Sequence, residues 1–333
     1  MANALSFGNE KIVVSIGPTL AQRKAHPHLP HEELIDLIIV GAGPAGITAA
    51  IYAVRKKIKT LVLTKDIGGQ AAVSGSIENY TGFQYITGPE LSAKFEDHMN
   101  SFDLDIHVKE ECRRVEKNGD NVVVVKTDRS SYTSKACIIC TGATPKKLGI
   151  PGEAEFLGRG LSTCYLCDAP LFAGKDIAVI GGGNSALDAA LQGSRFSSKV
   201  YLINKNAEFK GDPVLLEAAL SPPNVETLLN AATLEVGGKM TVEYVKVQTK
   251  GETRLIPVQG VLVEVGYRPN TEMVSADKND YGEIKVNCKN ETSIPGIYAA
   301  GDATDTPAKQ IVTAAGEGAK AVIWASDYLV RNF

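Results

Sequence analysis

The chain has 333 residues, 44% of them apolar and 22% charged, with a formal charge of −3. That balance excludes a disordered chain and a nucleic-acid-binding one, and the length suggests about two domains of ordinary size. The longest apolar runs, "LIIV" and "GVLVEVG", fall far short of the roughly 20 residues a bilayer span needs, so no membrane partner is expected.

Residues 1–33 end in "AHPHLPHEE", where Pro27 and Pro30 alternate with His26, His28 and His31. Proline disfavours both helix and central strand, so this segment reads as an extended arm. No Cys, Asp or further His stands at ligand spacing from those histidines, and no metal is expected there. The arm lacks the long apolar stretch and cleavage site of a secretory signal, which makes a cytoplasmic location the expectation. In a reducing compartment, six cysteines are not a structural disulfide framework.

From Leu34 the stretch "LIDLIIVGAGPAGITAAIYAVRKKIKTLVLT" reads as strand, Gly turn, helix and strand, the second strand ending at Thr64. "NVVVVKT" and "ACIICTGATP" read as strands. Residues 175–204, "KDIAVIGGGNSALDAALQGSRFSSKVYLIN", repeat the strand, turn, helix, strand order. Further strands are expected in "MTVEYVKVQT", "LIPVQGVLVEVG" and "GEIKV", and an Ala-rich helix follows the strand "GIYAA" near the C-terminus. The fold class expected is α/β, with two Rossmann-like nucleotide-binding domains.

In "GAGPAG" the glycines Gly41, Gly43 and Gly46, with Pro44 and Ala45 between them, stand where strand meets helix. The first allows a tight turn, the second lets backbone approach a pyrophosphate, and the third lets helix and strand pack closely. The helix N-terminus then offers free N–H groups to phosphate oxygens. In "GGGNSA" Gly181 and Gly183 hold the first two positions and Ala186 the third, with Asn184 and Ser185 opening the helix. The acid expected about 20 residues beyond each turn to hold a ribose diol is absent, with Asp66 two residues past the first strand pair and Asn204 ending the second. Lys205 and Lys210 could meet a 2′-phosphate as point charges, so the choice between NADPH and NADH stays open.

"STCYLCDAP" places Cys164 and Cys167 three apart with Asp168 directly behind. Such a pair can exchange with another protein's disulfide, one thiolate attacking and the other resolving, and a neighbouring carboxyl can move the proton. Half a zinc site and two packed thiols are the rivals, ranked below it because no second ligand pair lies at finger spacing. Cys137 and Cys140 have the same spacing inside an expected strand, where residues three apart face opposite ways, so spacing alone is weak. Cys112 and Cys288 are isolated thiols.

Taken in order, "GAGPAG", "GGQ" (68–70), "IENYTGF" (77–83), "CTGATP" (140–145), "CYLCD", "GGGNSA", "AAGDATDTPAKQI" (299–311) and "GEGAKA" (316–321) make the chain resemble the low-molecular-weight thioredoxin reductases over about residues 34–333. Within them it is most similar to the flavoprotein component of alkyl hydroperoxide reductase. The resemblance implies FAD at the first Gly turn and a nicotinamide nucleotide at the second. It implies a discontinuous FAD-binding domain, 34–145 and 272–333, with the nicotinamide domain 146–271 inserted. Gly69, Gln70, Asn79, Thr141, Gly142, Gly301, Asp302, Gln310 and Ile311 are then expected at the flavin. Cys167 would take electrons from it, Cys164 would attack a thioredoxin-like or glutaredoxin-like disulfide, and Asp168 would be the acid. A homodimer and two alternating domain orientations are implied as well. The basic motif of NADPH-using members reads "NKNAEFK" here, and no thioredoxin-like domain precedes residue 34, so a separate carrier protein is expected. Two rival functions remain: the same fold fed by ferredoxin, and a flavin-bound redox sensor that does not turn over.

Overall fold

The computed structural model describes residues 34–74, 76–119, 121–249 and 251–333. The expected N-terminal arm and its three histidines lie outside the described residues.

Strand Ile35–Ala42 is apolar on both faces because it lies inside a sheet covered on both sides, with Leu37, Ile38 and Ile39 wholly buried. It pairs in parallel with Thr60–Ile67 and with Ser131–Ile139, and Thr60–Ile67 pairs in parallel with Asp105–Val108. Along its other edge, Ser131–Ile139 takes antiparallel Val123–Thr127 on its first half and parallel Ile297–Ala299 on its last, and Cys112–Lys117 completes the seven strands. Helix Pro44–Arg55 and helix Ile311–Asn332 cover one face through Ala45, Ala49, Ala53, Ala314, Ala321 and Ala325, residues small enough to let the two helices close on each other.

The second sheet has five parallel strands in the order Leu161–Ser162, Gly260–Val263, Asp176–Ile180, Lys199–Ile203, Val225–Leu228. Helices Asn184–Gly193 and Pro213–Leu220 pack on one face, and the antiparallel strands Ala231–Gly238, Val242–Thr249 and Glu252–Pro257 on the other. The chain crosses between the sheets twice, and the crossings Ala143–Pro145 and Tyr267–Pro269 pair antiparallel.

Three expected strand assignments change. The strand expected to end at Thr64 runs on to Ile67, because the Thr64 hydroxyl accepts the Ala42 N–H and bridges a bulge beyond which Ala42 pairs with Ile67. "LIPVQGVLVEVG" divides between two sheets: Val258 N–H donates to Glu243 O while Gln259 N–H donates to Asp176 O, so the chain changes partners there. "GEIKV" is not a strand; only Ile284, fully buried, makes isolated bridges to Lys278 and Thr304.

At the edge of the first sheet, His107 is buried between two acids, Nε2 at 3.2 Å from Asp105 and Nδ1 at 3.1 Å from Glu110. The Tyr132 hydroxyl donates to Glu110 at 2.9 Å. The Asp105 hydrogen bond, helped by the charges of both acids, raises the His107 pKa against the opposing effect of burial. A raised histidine pKa means stability present below about pH 6.5, the unfolded value, and lost as pH rises through the folded value. The urea midpoint is therefore expected to fall from pH 6 towards pH 9. In His107→Gln it should be lower at pH 6 and fall less steeply over that range.

Candidate active site

The first Gly turn is shaped by contacts only glycine permits. Gly41 has φ +103°, and a Cβ there would lie 2.4 Å from the Cys140 carbonyl oxygen. A Cβ on Gly46 would lie 1.8 Å from Gly41 O, which is the close helix–strand packing expected of the third glycine. Gly43 is different. It N-caps helix Pro44–Arg55 without any side-chain cap, and a Cβ on it would meet only Gly69 Cα, at 4.0 Å. Gly69 itself has φ +53°, and Gln70 beside it is exposed. Free helix N–H groups therefore open onto a floor of two bare glycines.

The C-terminal helix closes this groove. A Cβ on Gly318 would sit 2.0 Å from Ala45 O. Its N-cap, Gln310, accepts the Asn79 side-chain N–H at 3.0 Å across 231 residues of chain, and Ile311 packs with Ile77, Ile86 and Leu91. Gly301 has φ +76° and donates its N–H to Glu317 at 2.8 Å. Next to it, Asp302 is half-buried, and its carboxylate accepts no hydrogen bond from the described residues. Burial raises its pKa, and Lys309 opposes that rise. Bare glycines, an uncapped helix start and an unpartnered carboxylate fit a dinucleotide, with pyrophosphate on the N–H groups and a ligand hydroxyl on Asp302. Thr141 and Gly142 lie at the crossing instead: Thr141 donates to Asn270 O, while Gly142 at φ +64° leaves open space.

In the second turn a Cβ on Gly181 would lie 2.3 Å from Glu264 O and 2.8 Å from the Ala186 methyl, so glycine is required at 181 and the Ala186 methyl packs against it. Gly183 N-caps Asn184–Gly193, again with no side-chain cap and nothing within 4 Å of its missing Cβ. The segment after Asn204 folds back over the turn. Lys210 N–H donates to Gly182 O at 2.7 Å, and Asp212 N–H to Asn184 Oδ1 at 2.8 Å. Asn204 is buried, its carboxamide donating to Glu208 O and accepting from Asn206 N–H, so it is committed to the loop. Lys205, Lys210 and Ser185 are not buried.

Cys164 and Cys167 form a disulfide with Cα atoms 5.4 Å apart. Cys164 is half-buried and precedes the short helix Tyr165–Asp168, in which Cys167 is exposed. Ser162 Oγ accepts the Cys164 N–H at 3.0 Å, and Tyr165 N–H donates to Glu264 at 3.1 Å. The Tyr267 hydroxyl donates to Thr163 O. Burial raises the Asp168 pKa, and a hydrogen bond from Ser162 opposes the rise. The short helix packs against strand Ser76–Ile77, in the chain segment between Gln70 and Asn79. No group of three or more metal-ligating side chains occurs among the described residues. Cys137 and Cys140 lie in the two cores on opposite faces of the first sheet, and burial raises both thiols far above their ordinary range. Burial likewise pushes the Cys112 thiol up to about 12, and Cys288 is an exposed free thiol.

Two buried acids escaped the motif reading. Glu264 interrupts the apolar run "GVLVEVG", and Glu317 stands among the small residues of "AAGEGAKA"; an acid at a position patterned for burial is the signal each carried. Glu317 accepts from Gly301 N–H and from the hydroxyls of Thr304 and Thr306, so it holds the loop that presents Asp302. Glu317→Ala would leave the Gly301 N–H buried and unpaired. It is expected to destabilise the protein by about 2–4 kcal/mol, read as a lower urea midpoint.

Residues 35–318 match the pyridine nucleotide-disulphide oxidoreductase family. The chain belongs to this family, whose cofactors are FAD and a nicotinamide nucleotide. It is 40% identical to the F component of the alkyl hydroperoxide reductase of Pseudomonas aeruginosa over 98% of this chain and 64% of that one. It is also 40% identical to an NADH dehydrogenase of Bacillus subtilis over 99% of this chain and 66% of that one. It therefore spans somewhat less than two-thirds of these relatives' length. Among solved structures, thioredoxin reductase from Streptococcus pyogenes superposes with a TM-score of 0.85 at 33% identity, covering 90% of this chain and 99% of that one. The Lactococcus lactis enzyme, described as in the FR conformation, gives 0.61 at 33% identity, covering 89% and 99%.

Proposed function

We propose that the chain is an FAD-dependent disulfide reductase of the thioredoxin reductase type. It takes two electrons from a nicotinamide nucleotide and delivers them through Cys164 and Cys167 to a thioredoxin-like or glutaredoxin-like protein. The observation that carries this reading is the disulfide itself, seated on a short helix that starts beside the second Gly turn and packs against the segment leading from Gly69 to Asn79.

FAD would lie along Gly41, Gly43, Pro44, Ala45 and Gly46, with Gly69, Gln70, Asn79, Thr141, Gly142, Gly301, Asp302, Gln310 and Ile311 around it. The nicotinamide nucleotide would lie on Gly181, Gly183, Asn184 and Ser185, with Lys205 near its ribose end and Asn204 acting only through the loop it braces. When bound, the flavin accepts hydride from the nicotinamide and passes the electron pair to a disulfide. Two electrons and two protons turn Cys164–Cys167 into a dithiol. Cys164 as thiolate then attacks one sulfur of the partner's disulfide, forming a mixed disulfide and expelling a partner thiolate that Asp168 protonates. Cys167 attacks the Cys164 sulfur, which restores the internal disulfide and frees the partner as a dithiol. A raised pKa suits Asp168 to this work, since more of it is protonated near neutral pH.

The domain division 34–145 with 272–333, and 146–271, is part of the proposal, supported by the two sheets and their paired crossings. Two orientations of these domains are supported by the fall in TM-score from 0.85 to 0.61 between neighbours of equal identity. A homodimer in the cytoplasm carries over from the family expectation. No described helix is long and apolar enough to cross a membrane.

Anaerobic mixing with NADH and with NADPH, followed by oxidised thioredoxin, tests the reading through flavin absorbance. Bleaching by a nucleotide and recolouring by thioredoxin are expected; a bleached flavin that thioredoxin leaves unchanged would overturn the partner. One observation favours a different donor: the Asn204 side chain is committed to its loop and no acid stands at the ribose end. A structural neighbour from Clostridium acetobutylicum, 30% identical with a TM-score of 0.50, is described as a ferredoxin-flavin thioredoxin reductase. Slow bleaching by both nucleotides beside fast bleaching by reduced ferredoxin would select that donor.

A further inference from the structure

Strand Gly260–Val263 ends at the carboxyl edge of the second sheet, beside strand Asp176–Ile180 and the Gly turn that follows it. The next residue, Glu264, donates its backbone N–H to Ile180 O at 2.8 Å, and its carbonyl oxygen lies 2.3 Å from where a Gly181 Cβ would stand. Glu264 is 6% exposed, and its Oε1 accepts the Tyr165 N–H at 3.1 Å. One side chain thus joins the second Gly turn to the peptide immediately after Cys164. The peptide immediately before Cys164 is held from the crossing strand, where Tyr267 donates to Thr163 O. A buried acid is costly to keep in a strand end that an apolar residue would fill, and its contact with the redox segment is what distinguishes it there.

Building on the function proposed above, we propose that Glu264 is a positioning residue for the redox pair: it holds the Tyr165 N–H, gives the Cys164 sulfur one direction of presentation, and ties that segment to the nucleotide turn. The same contact sets a titrating group on the peptide that follows Cys164. Burial pushes the Glu264 pKa up to about 8, against the lowering effect of the Tyr165 N–H. Of the groups around it, the Tyr165 and Tyr267 phenols are pushed up to about 12, chiefly by burial, and stay neutral. Further charged groups on the elements packed there are Asp168 on the short helix, Asp188 near Tyr165, Asp302 near Tyr267, Lys146 and Arg268 on the crossing segments, Asp176 at the far end of the neighbouring strand, and Glu243 and Lys246 on strand Val242–Thr249. A carboxylate opposes a neighbouring thiolate. Cys164 should therefore gain reactivity less steeply above pH 8 than it would beside a side chain that never ionises.

The test uses the full chain reduced by dithiothreitol and freed of it anaerobically, with no nucleotide or partner protein. The rate of Cys164 alkylation by iodoacetamide is followed by peptide mass spectrometry from pH 6.5 to 9.5 in the parent, Glu264→Gln and Glu264→Leu. Glutamine keeps an acceptor oxygen and stays neutral, so it should match the parent within about twofold at pH 7 and exceed it by about threefold or more at pH 9. Leucine removes the acceptor. It should change the pH 7 rate by about fivefold or more and lower kcat/KM for oxidised thioredoxin by about tenfold, whereas glutamine holds that value within about twofold. Nicotinamide-driven ferricyanide reduction, which bypasses the disulfide, should persist in both variants. Parallel pH profiles for the parent and Glu264→Gln would overturn the proposal, as would a leucine variant indistinguishable from the parent at pH 7. Should the leucine variant fail to fold, the comparison of glutamine with the parent decides alone. A parent that reduces no thioredoxin while the alkylation differences hold would remove the proposed partner and leave the role of Glu264 standing.

Discussion

Cys164→Ser is expected to abolish reduction of an oxidised thioredoxin, lowering turnover by about a thousandfold or more, which is ~4 kcal/mol on the barrier. A hydroxyl is not ionised at neutral pH, and it cannot form the mixed disulfide through which exchange proceeds. Nicotinamide-driven reduction of ferricyanide should continue in this variant, because that reaction needs the flavin and neither thiol. A Cys164→Ser protein that reduces thioredoxin as fast as the parent would end the proposed mechanism. The companion variant, Cys167→Ser, separates the two sulfurs. If Cys164 attacks, the variant lacking Cys167 should accumulate a covalent complex with thioredoxin, seen on a non-reducing gel, and the variant lacking Cys164 should not. The geometry gives this comparison an edge, since Cys167 is the exposed member of the pair and Cys164 the half-buried one.

Gly46→Ala and Gly43→Ala are expected to fail in different ways, although only two residues lie between them. A methyl group at Gly46 would lie 1.8 Å from Gly41 O, inside the closest packing of the first unit, and neither backbone can yield without moving the turn. A loss of about 3 kcal/mol or more in stability is expected, together with loss of bound flavin. At Gly43 the backbone has φ −78° and the space is open apart from Gly69. Alanine there should leave the stability of the flavin-free chain within about 0.5 kcal/mol of the parent, while occupying the approach that a pyrophosphate would use. Urea midpoints of the flavin-free proteins and equilibrium dialysis against FAD read the two quantities separately. If Gly43→Ala bound FAD as tightly as the parent, the groove floored by Gly43 and Gly69 would not be the dinucleotide site.

Much of the fold and of the site was legible in the residues alone. Strand, Gly turn and helix are local structures, and the contacts that demand glycine at 41 and 46 lie chiefly within one strand–turn–helix unit and its neighbouring strand. The same holds for Cys137 and Cys140, whose opposite facing follows from strand geometry and whose separation into two cores was the expected outcome. Where local pattern erred, the cause was competition between distant partners. "LIPVQGVLVEVG" is apolar apart from Gln259 and Glu264, and nothing in its composition says that Val258 bonds to one sheet and Gln259 to another. "GEIKV" alternates like a strand, yet only Ile284 finds partners, and those are single bridges.

The chain's order of residues determined two strand–Gly turn–helix units, a thiol pair with an acid behind it, and the kind of layered fold that could carry them, because each of these depends on neighbours within a few turns of backbone. Only the tertiary structure decided that Asn79 meets Gln310 and that the buried acids Glu264 and Glu317 hold the Cys164 and Asp302 segments. The physical reason is the same in each case. A polar side chain takes whichever donor or acceptor the fold brings within about 3 Å, and which one that is depends on how distant segments come together.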